Sequence, residues 1–599
     1  MLEDDRRTLS VFLWNHDGFK YDKSGSFKHT NDVYNVVPGD FRRTGKLDLL
    51  VMSRSQTSGP LDLSLYPALP EGGFDNVISI PSSSLSQPIP IDLNGDMKID
   101  LLGMTPESQR GRAQFQGWEN VWNASQARSP LFKLSDAPFH GKQCTLANPH
   151  SNAVIDLNGD CLADVFLVCD DGRGGKYFQI WINNKSDGFT LAQEHPLPAG
   201  TQQISLADMD RDGTIDLVFP TCRSVTSSSG VGNDCSINIA YNKQLPLCSA
   251  DALLKGAKKC RSPEDLCIAD PDFKFDLSSG SDLFVSIPLS SILPSSPPPG
   301  LLVEDTTVSP SIPLAIKLGD ANLDGFTDIL LIAVNQRGQV PKLIYSAPCG
   351  GNGVKGCEAP HAKRGWQVAI KGVQSLEAIK DARGVSFLDM DEDGTSDIMV
   401  QRTGKEGQGN IMFVQNNFYY DAFFLKAIVL NGACGNGLCY TEDGDSFNPL
   451  GVSFTGASYK YTVLDTSGRR SAAQIAQLPQ TSYQSLQCPY AFFGLGRTNN
   501  YIENLFVGAT VHQDEHWIDI EGVIPNSKLV IRPGNEKEGT GWKRELFLRP
   551  GEWISWVLVT MVVGMALLAV IVLVLHLNEK REDELERRRA SHHINFDAL

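Results

Sequence analysis

Asp208-Met-Asp210-Arg-Asp212-Gly213-Thr-Ile-Asp216 puts four carboxylates and one glycine into a single short stretch of chain. Like charges a few ångströms apart repel even in water, so such a cluster needs a cation or open solvent to offset it. Side-chain oxygens at positions 1, 3, 5 and 9, a carbonyl at position 7 and a glycine at position 6, where the chain turns sharply, are how a short loop wraps calcium. The frame recurs. Asp320, Asn322, Asp324, Gly325 and Asp328 fill it, and so do Asp389, Asp391, Asp393, Gly394 and Asp397. Asp92, Asn94, Asp96 and Asp100, and likewise Asp156, Asn158, Asp160 and Asp164, keep the oxygens but carry Met97 and Cys161 at position 6. A sixth copy has Arg42 at position 3 and is expected to hold no calcium. In chain order these are loops I (40–48), II (92–100), III (156–164), IV (208–216), V (320–328) and VI (389–397). Ca2+ is expected in loops II to VI, more weakly in II and III, because a Cβ costs ~1–2 kcal/mol in the left-handed conformation that glycine usually supplies at position 6.

An EF-hand needs a bidentate glutamate at position 12 on an exiting helix. Position 12 here is Val51, Gly103, Leu167, Phe219, Leu331 or Val400. Short apolar runs flank the loops, as in Ser386-Phe-Leu388 before loop VI and Leu217-Val-Phe219 after loop IV, so each unit reads as strand, acidic loop, strand. Loop starts at 40, 92, 156, 208, 320 and 389 leave about one small sheet per repeat, the pattern of a propeller or solenoid. Between the loops recurs a strand ending in an aromatic-Asn turn, as in the runs from Val11, Phe178, Asn238 and Ile411. The first of these precedes loop I, as expected when N-terminal strands complete the last blade and close a ring.

These D-x-[DN]-x-[DN]-G-x-x-D hairpins at blade spacing resemble the FG-GAP repeats of integrin α-chain propellers. With one C-terminal apolar span and the terminal His592-His-Ile-Asn-Phe-Asp-Ala-Leu599, the chain resembles the T-cell immunomodulatory protein family, also called linkin. The resemblance implies an all-β fold: a seven-bladed FG-GAP β-propeller ectodomain, a membrane-proximal β domain and one C-terminal transmembrane helix, in a type I cell-surface glycoprotein concerned with adhesion. Six loops are read directly, and the seventh blade comes from the resemblance. The expected division is 1–424 propeller, 425–550 β domain, 553–577 transmembrane helix and 578–599 cytoplasmic tail.

The chain's 599 residues exceed a single compact core. Lys plus Arg number 53 against 70 Asp plus Glu, a net charge of −17 that argues against nucleic acid as a partner. The sequence carries no H-E-x-x-H, G-x-S-x-G or phosphate-binding P-loop motif, so it is read as a binding protein and not an enzyme. The expected partner is an extracellular protein ligand. The alternative is a calcium-dependent extracellular hydrolase or lectin-like glycan binder, which needs a convergent acid, base or nucleophile in a pocket away from the loops.

Trp553 to Leu577 contains no charged residue, long enough to span a bilayer core of ~30 Å. Thirteen cysteines all precede it, and with the sequons Asn123-Ala-Ser125 and Asn184-Lys-Ser186 they fit an oxidising lumen, so the large part is placed outside and Asn578 to Leu599 in the cytosol. The opening MLEDDRR lacks a basic segment followed by an apolar one, and a start upstream of it is the expectation. Cys349 with Cys357, and Cys434 with Cys439, are close enough for local loops. Cys222, Cys235, Cys248, Cys260 and Cys267, followed by a proline-rich run, suggest a disulfide-pinned insertion at about 222–310. Phe492-Phe-Gly-Leu-Gly496 reads as a tight turn in the β domain. In the tail, Phe596 is the expected anchor of a motif that docks to a cytosolic adaptor.

Overall fold

Alternating side chains make the strands. In Leu61–Tyr66 the three leucines are buried and the residues between them half-buried, one face toward a core and one toward a neighbour. The first sheet pairs Val33–Gly39, Asp48–Arg54, Leu61–Tyr66 and Ile78–Ser83 in chain order. A second (Ile89–Ile91, Asp100–Met104, Phe115–Asn120, Phe132–Asp136) and a third (Ala153–Ile155, Asp164–Asp170, Lys176–Asn183, Phe189–Pro196) repeat it. The fourth (Ser205–Ala207, Asp216–Thr226, Val231–Ala240, Phe284–Pro288) and fifth (Lys317–Gly319, Asp328–Asn335, Gly338–Pro348, Arg364–Val368) are joined through Gly300–Leu302. The sixth has Ala382–Leu388, Asp397–Arg402 and Ile411–Val414. Each opens with the hairpin that carries an acidic loop, and the residue before the loop always faces its ninth residue across the ladder, from Gly39 with Asp48 to Leu388 with Asp397.

This computed structural model describes the chain except residues 16–17, 19, 56–58, 70–71, 108–112, 124–129, 249–258, 358–363, 407–408, 419–421, 434–438, 441–445, 448–450, 465–469, 480, 482, 484–486, 498–500, 535–540, 549–552 and 591–599. Met1–Leu546 forms one unit and Phe547–Leu599 another. The Cys434–Cys439 pairing and the terminal motif around Phe596 lie outside the described residues.

The all-β reading holds, with three differences, two of them before Phe423. Thr8–Asn15 and Lys20–Lys28 pair with each other and, among the described residues, do not extend the sixth sheet. The second strand is exposed and carries three lysines, an edge that resists further pairing. The hairpin nevertheless touches both ends of the series: Phe27 packs on Tyr66 of the first sheet (4.4 Å between ring centroids) and Tyr21 stacks on Phe413 of the sixth (5.7 Å). The second difference is the insertion. Cys222 and Cys235 are ladder partners inside the fourth sheet and form a disulfide there, so the inserted segment starts only after Ala240. Cys248–Cys260 closes part of it and Cys161–Cys267 ties it to loop III; Cys349–Cys357 pairs as its spacing suggests.

After Phe423 two four-stranded sheets pack face to face. One orders Ala491–Gly496, Phe423–Val429, Ser527–Arg532 and Lys543–Leu548; the other orders Arg470–Gln477, Ala457–Leu464, Ile502–Gly508 and Trp517–Val523. Leu425, Tyr459, Tyr461, Phe493, Leu505 and Ile531 fill the space between them. The run read as a tight turn at Phe492 to Gly496 is a strand here, paired with Phe423–Val429. Its Gly494 is required by close approach, since a Cβ would stand 1.7 Å from Asp320 Oδ2 of loop V. In the second unit one helix, Trp553–Ala590, runs through the apolar span and on through the charged residues after it. It is long and apolar enough to cross a membrane.

Candidate metal centre

Positions 4 and 6 of every loop are left-handed. At position 6, Gly45, Met97, Cys161, Gly213, Gly325 and Gly394 have φ of 60 to 89°; at position 4, Arg43, Gly95, Gly159, Arg211, Leu323 and Glu392 have φ of 55 to 95°. Each loop therefore spends one glycine on one of two left-handed positions. Loops II and III place it at position 4, where a Cβ would lie 2.3 Å from His512 and 2.0 Å from Arg261 Nη2, respectively. Every loop carries one non-glycine left-handed residue, so the expectation of weaker binding in loops II and III loses its physical basis.

Position 9 is a clamp. One oxygen of Asp100, Asp164, Asp216, Asp328 and Asp397 accepts the position-2 N–H of its own loop at 2.8 to 3.0 Å. The other accepts the backbone N–H of Asn120, Asn183, Asn242, Ser346 or Asn416 at 2.7 to 3.0 Å. The aromatic-Asn element thus ends on the acidic loop of its own sheet. Its amide also reaches the preceding loop: Asn120 Nδ2 donates to Phe41 O (2.7 Å), Asn242 to Leu157 O (2.9 Å) and Asn416 to Ala321 O (2.7 Å). Repetition showed this element in the sequence, but not that it staples one sheet to the next.

Position 1 is shared. Oδ2 of Asp40, Asp92, Asp156, Asp208, Asp320 and Asp389 accepts the position-6 N–H at 2.7 to 3.2 Å. That same oxygen meets the domain after Phe423 in all six loops. Asn431 Nδ2 donates to Asp40 (3.0 Å), Thr510 Oγ1 to Asp92 (2.7 Å) and the Gln474 N–H to Asp208 (3.0 Å). Lys460 Nζ lies 3.1 Å from Asp156 and Lys426 Nζ 2.6 Å from Asp389, all four side chains buried. Gly494 packs on Asp320. Sequence reasoning missed Lys426 and Lys460. Their one signal was a lysine inside an otherwise apolar strand, as in Tyr459-Lys-Tyr461, where alternation alone reads it as a solvent-facing residue.

The remaining side chains divide the loops. In IV and VI, Asp208, Asp210 and Asp216, and Asp389, Asp391 and Asp397, each bring one carboxylate oxygen within 4.8 Å of the others. In II, III and V, position 3 is Asn94, Asn158 or Asn322, whose Oδ1 accepts the position-5 N–H at 3.0 to 3.1 Å. The position-5 carboxylates of Asp96, Asp160, Asp212, Asp324 and Asp393 cap the position-7 N–H at 2.8 to 3.0 Å, which directs that carbonyl's peptide around the turn. Asp324 also pairs with Arg364 (2.9 Å).

Burial pushes the carboxyls of Asp92, Asp208 and Asp320 up to about 7, reinforced by the position-5 carboxylate of the same loop; it takes Asp100 to about 8 and Asp397 to about 6. Asp164, Asp216 and Asp328 rise well above the carboxylate range for the same reasons. A cation beside such groups would favour their ionised form. Asp389 Oδ1 is buried and has no hydrogen-bond partner, while its Oδ2 faces Lys426. The donors are hard oxygens throughout, so the residues fit calcium.

A family described as "ITFG1, C2 domain" matches residues 449–547, and "FG-GAP-like repeat" matches 156–219. The T-cell immunomodulatory protein of Macaca fascicularis is 33% identical over 294 residues, which cover 48% of this chain and 91% of that protein. The Homo sapiens protein of the same name is 28% identical over 611 residues, 99% of this chain and 89% of that protein. Protein linkin of Caenorhabditis elegans is 24% identical over 590 residues, 95% and 86% respectively. At that identity and coverage of the Macaca fascicularis protein, with the C2-domain and FG-GAP-like matches beside it, the chain belongs to the T-cell immunomodulatory protein family.

Proposed function

We propose that this chain is a type I cell-surface glycoprotein whose calcium-stabilised propeller, residues 1–424, binds an extracellular protein ligand, with the β domain 425–550 between propeller and membrane span. The observation that carries the calcium reading is the convergence of three carboxylates in loops IV and VI, with one buried oxygen of Asp389 left without a partner. Loops II, III and V supply the same frame with an asparagine at position 3. The ion would be held by positions 1, 3, 5 and 9 and would supply charge that fixes two strands of one sheet. Five disulfides support an oxidising compartment, and the helix Trp553–Ala590 supports anchorage.

Binding rather than catalysis is supported by the relatives' names and by the FG-GAP-like repeat and C2-domain matches; the one thiol that is free among the described residues is not an activated nucleophile. Cys488 lines a cavity of about 170 Å³ with Lys317, Asp389 and Tyr490. Its Sγ donates to Phe387 O at 3.1 Å, and burial pushes it up to about 11, the reverse of an activated nucleophile.

Calcium titration calorimetry on the full chain in detergent micelles tests the first half: stoichiometric calcium uptake with a rise in melting temperature is expected, and no uptake removes the reading. Cross-linking and capture from intact cell surfaces, with and without chelator, tests the second. A partner retained only in calcium is expected, and recovery of none overturns ligand binding.

A further inference from the structure

The contacts of the position-1 carboxylates reach beyond stabilisation of single hairpins. In all six loops one oxygen of this residue turns inward, accepting N–H groups of its own loop or, in Asp389, nothing. The other oxygen turns outward to the β domain. Donors in five loops differ in kind (an asparagine amide, a threonine hydroxyl, two ammoniums and a backbone N–H) yet converge on the same atom, Oδ2, of the same loop position, and at Asp320 that atom is approached closely by Gly494, which donates nothing to it. That pattern is not needed for a hairpin to turn. It is what a docking surface made from one repeated residue looks like.

The contacts extend to neighbouring loop atoms. Lys460 Nζ donates to Gly159 O at 2.8 Å, Gln474 Nε2 to Asp156 O at 3.0 Å, and His516 Nε2 lies 3.0 Å from Asp160 O. Gly508 could not carry a Cβ, which would fall 1.8 Å from Cys161 O, and a Cβ on Gly394 would meet the Phe424 ring at 2.0 Å. The two bodies therefore touch at loop backbone, with no room for the loops to change shape independently.

We propose that loop cation occupancy and docking of the β domain are thermodynamically linked through the shared position-1 carboxylates, so that withdrawing the cations loosens residues 423–532 from the loop face. This rests on the calcium reading above. The physical reason is that one carboxylate cannot relax toward its own loop, or away from a repelling neighbour, without moving the oxygen that the β domain holds. Lys426 and Lys460 are the ionic anchors, and each neutralises one loop charge only while the domain is docked.

Hydrogen exchange on the full chain in detergent micelles, in calcium and in chelator, reads both bodies at once. Exchange in Phe423–Val429 and Arg470–Gln477 is expected to rise about tenfold on chelation together with loops IV and VI, while Phe189–Pro196, an outer strand of the third sheet, stays unchanged. Loops that respond while those two sandwich strands do not would overturn the linkage and leave the calcium reading standing. Loops that do not respond either would remove the calcium reading and the linkage with it. Lys426→Met supplies a second arm: chelation has already loosened the contact it makes, so it should raise exchange in Phe423–Val429 more in calcium than in chelator. An equal rise in both conditions means the carboxylate is not shared, and the proposal fails.

Discussion

Loops I and IV have the same frame and the same ladder, and opposite charge at position 3. In loop I Arg42 lays its guanidinium on the position-9 carboxylate, Nη2 at 3.0 Å and Nε at 3.2 Å from Asp48 Oδ1. In loop IV Asp210 stands there and adds a third carboxylate. Burial raises both position-9 carboxyls; beside Asp48 the arginine opposes the rise, whereas beside Asp216 three aspartates add to it. On the calcium reading proposed above, the turn needs a positive charge in its mouth, attached covalently in loop I and supplied by an ion in loop IV. Loops III, V and VI are intermediate, each with three or more acidic or amide oxygens and a lysine or arginine from elsewhere touching one of them.

Removing the attached charge should have the largest effect. Arg42→Met strands Asp48, a fully buried carboxylate, and should cost about 3–5 kcal/mol in denaturant unfolding. Arg42→Asp should recover much of that loss in calcium and bind one ion more than the parent by calorimetry. If it neither recovers nor binds, loop I is not a metal loop with its ion replaced.

A change of sign is expected next, in loop IV. Asp210→Asn trades a charged ligand for a neutral one in calcium and removes a repelling charge in chelator, so it should destabilise the first state by about 1–3 kcal/mol and stabilise the second. Destabilisation of the same size in both states would make Asp210 a structural residue only.

Chelated protein should also respond to pH in a definite direction. The folded carboxyls of Asp92, Asp208 and Asp320 sit at about 7, against about 3.9 in an unfolded chain. Between those values the native state holds protons that the unfolded state has released. Stability is therefore greatest below about pH 4 as far as these groups are concerned, and is lost progressively as pH rises to about 7. Calcium, which holds the ionised form, should flatten or reverse that slope. Melting temperatures between pH 5 and 8 check it, and parallel slopes with and without calcium would count against ion binding at these loops.

The smallest effect is backbone strain. Arg43 is left-handed at position 4 of loop I (φ 55°), so Arg43→Gly should stabilise by about 0.5–1 kcal/mol, the relief of a Cβ less the entropy glycine gains when unfolded. A loss of stability would mean that the arginine side chain outweighs its strain.

The repeated aspartates made the hairpins legible before any coordinates. A charge cluster flanked by apolar runs has few other stable uses, and its register is local: positions 1 to 9 lie within one turn, so spacing alone specifies them. The all-β class, the order of the six loops, the local disulfide of Cys349 and the length of the apolar helix were determined in the same way. Glycine at position 6 was a weaker guide, because the turn has two left-handed positions and either can take it.

Long-range packing decided the rest. That Asn120, Asn242 and Asn416 staple neighbouring sheets, that the insertion begins after Ala240, that Phe492 to Gly496 is a strand, and that Lys426 and Lys460 end on aspartates of other sheets all depend on which surfaces come together. A lysine in an alternating strand reads as solvent-facing from its own neighbours. Only a buried carboxylate supplied by another part of the fold makes burying that lysine cheaper than exposing it, and sequence spacing carries no information about that partner.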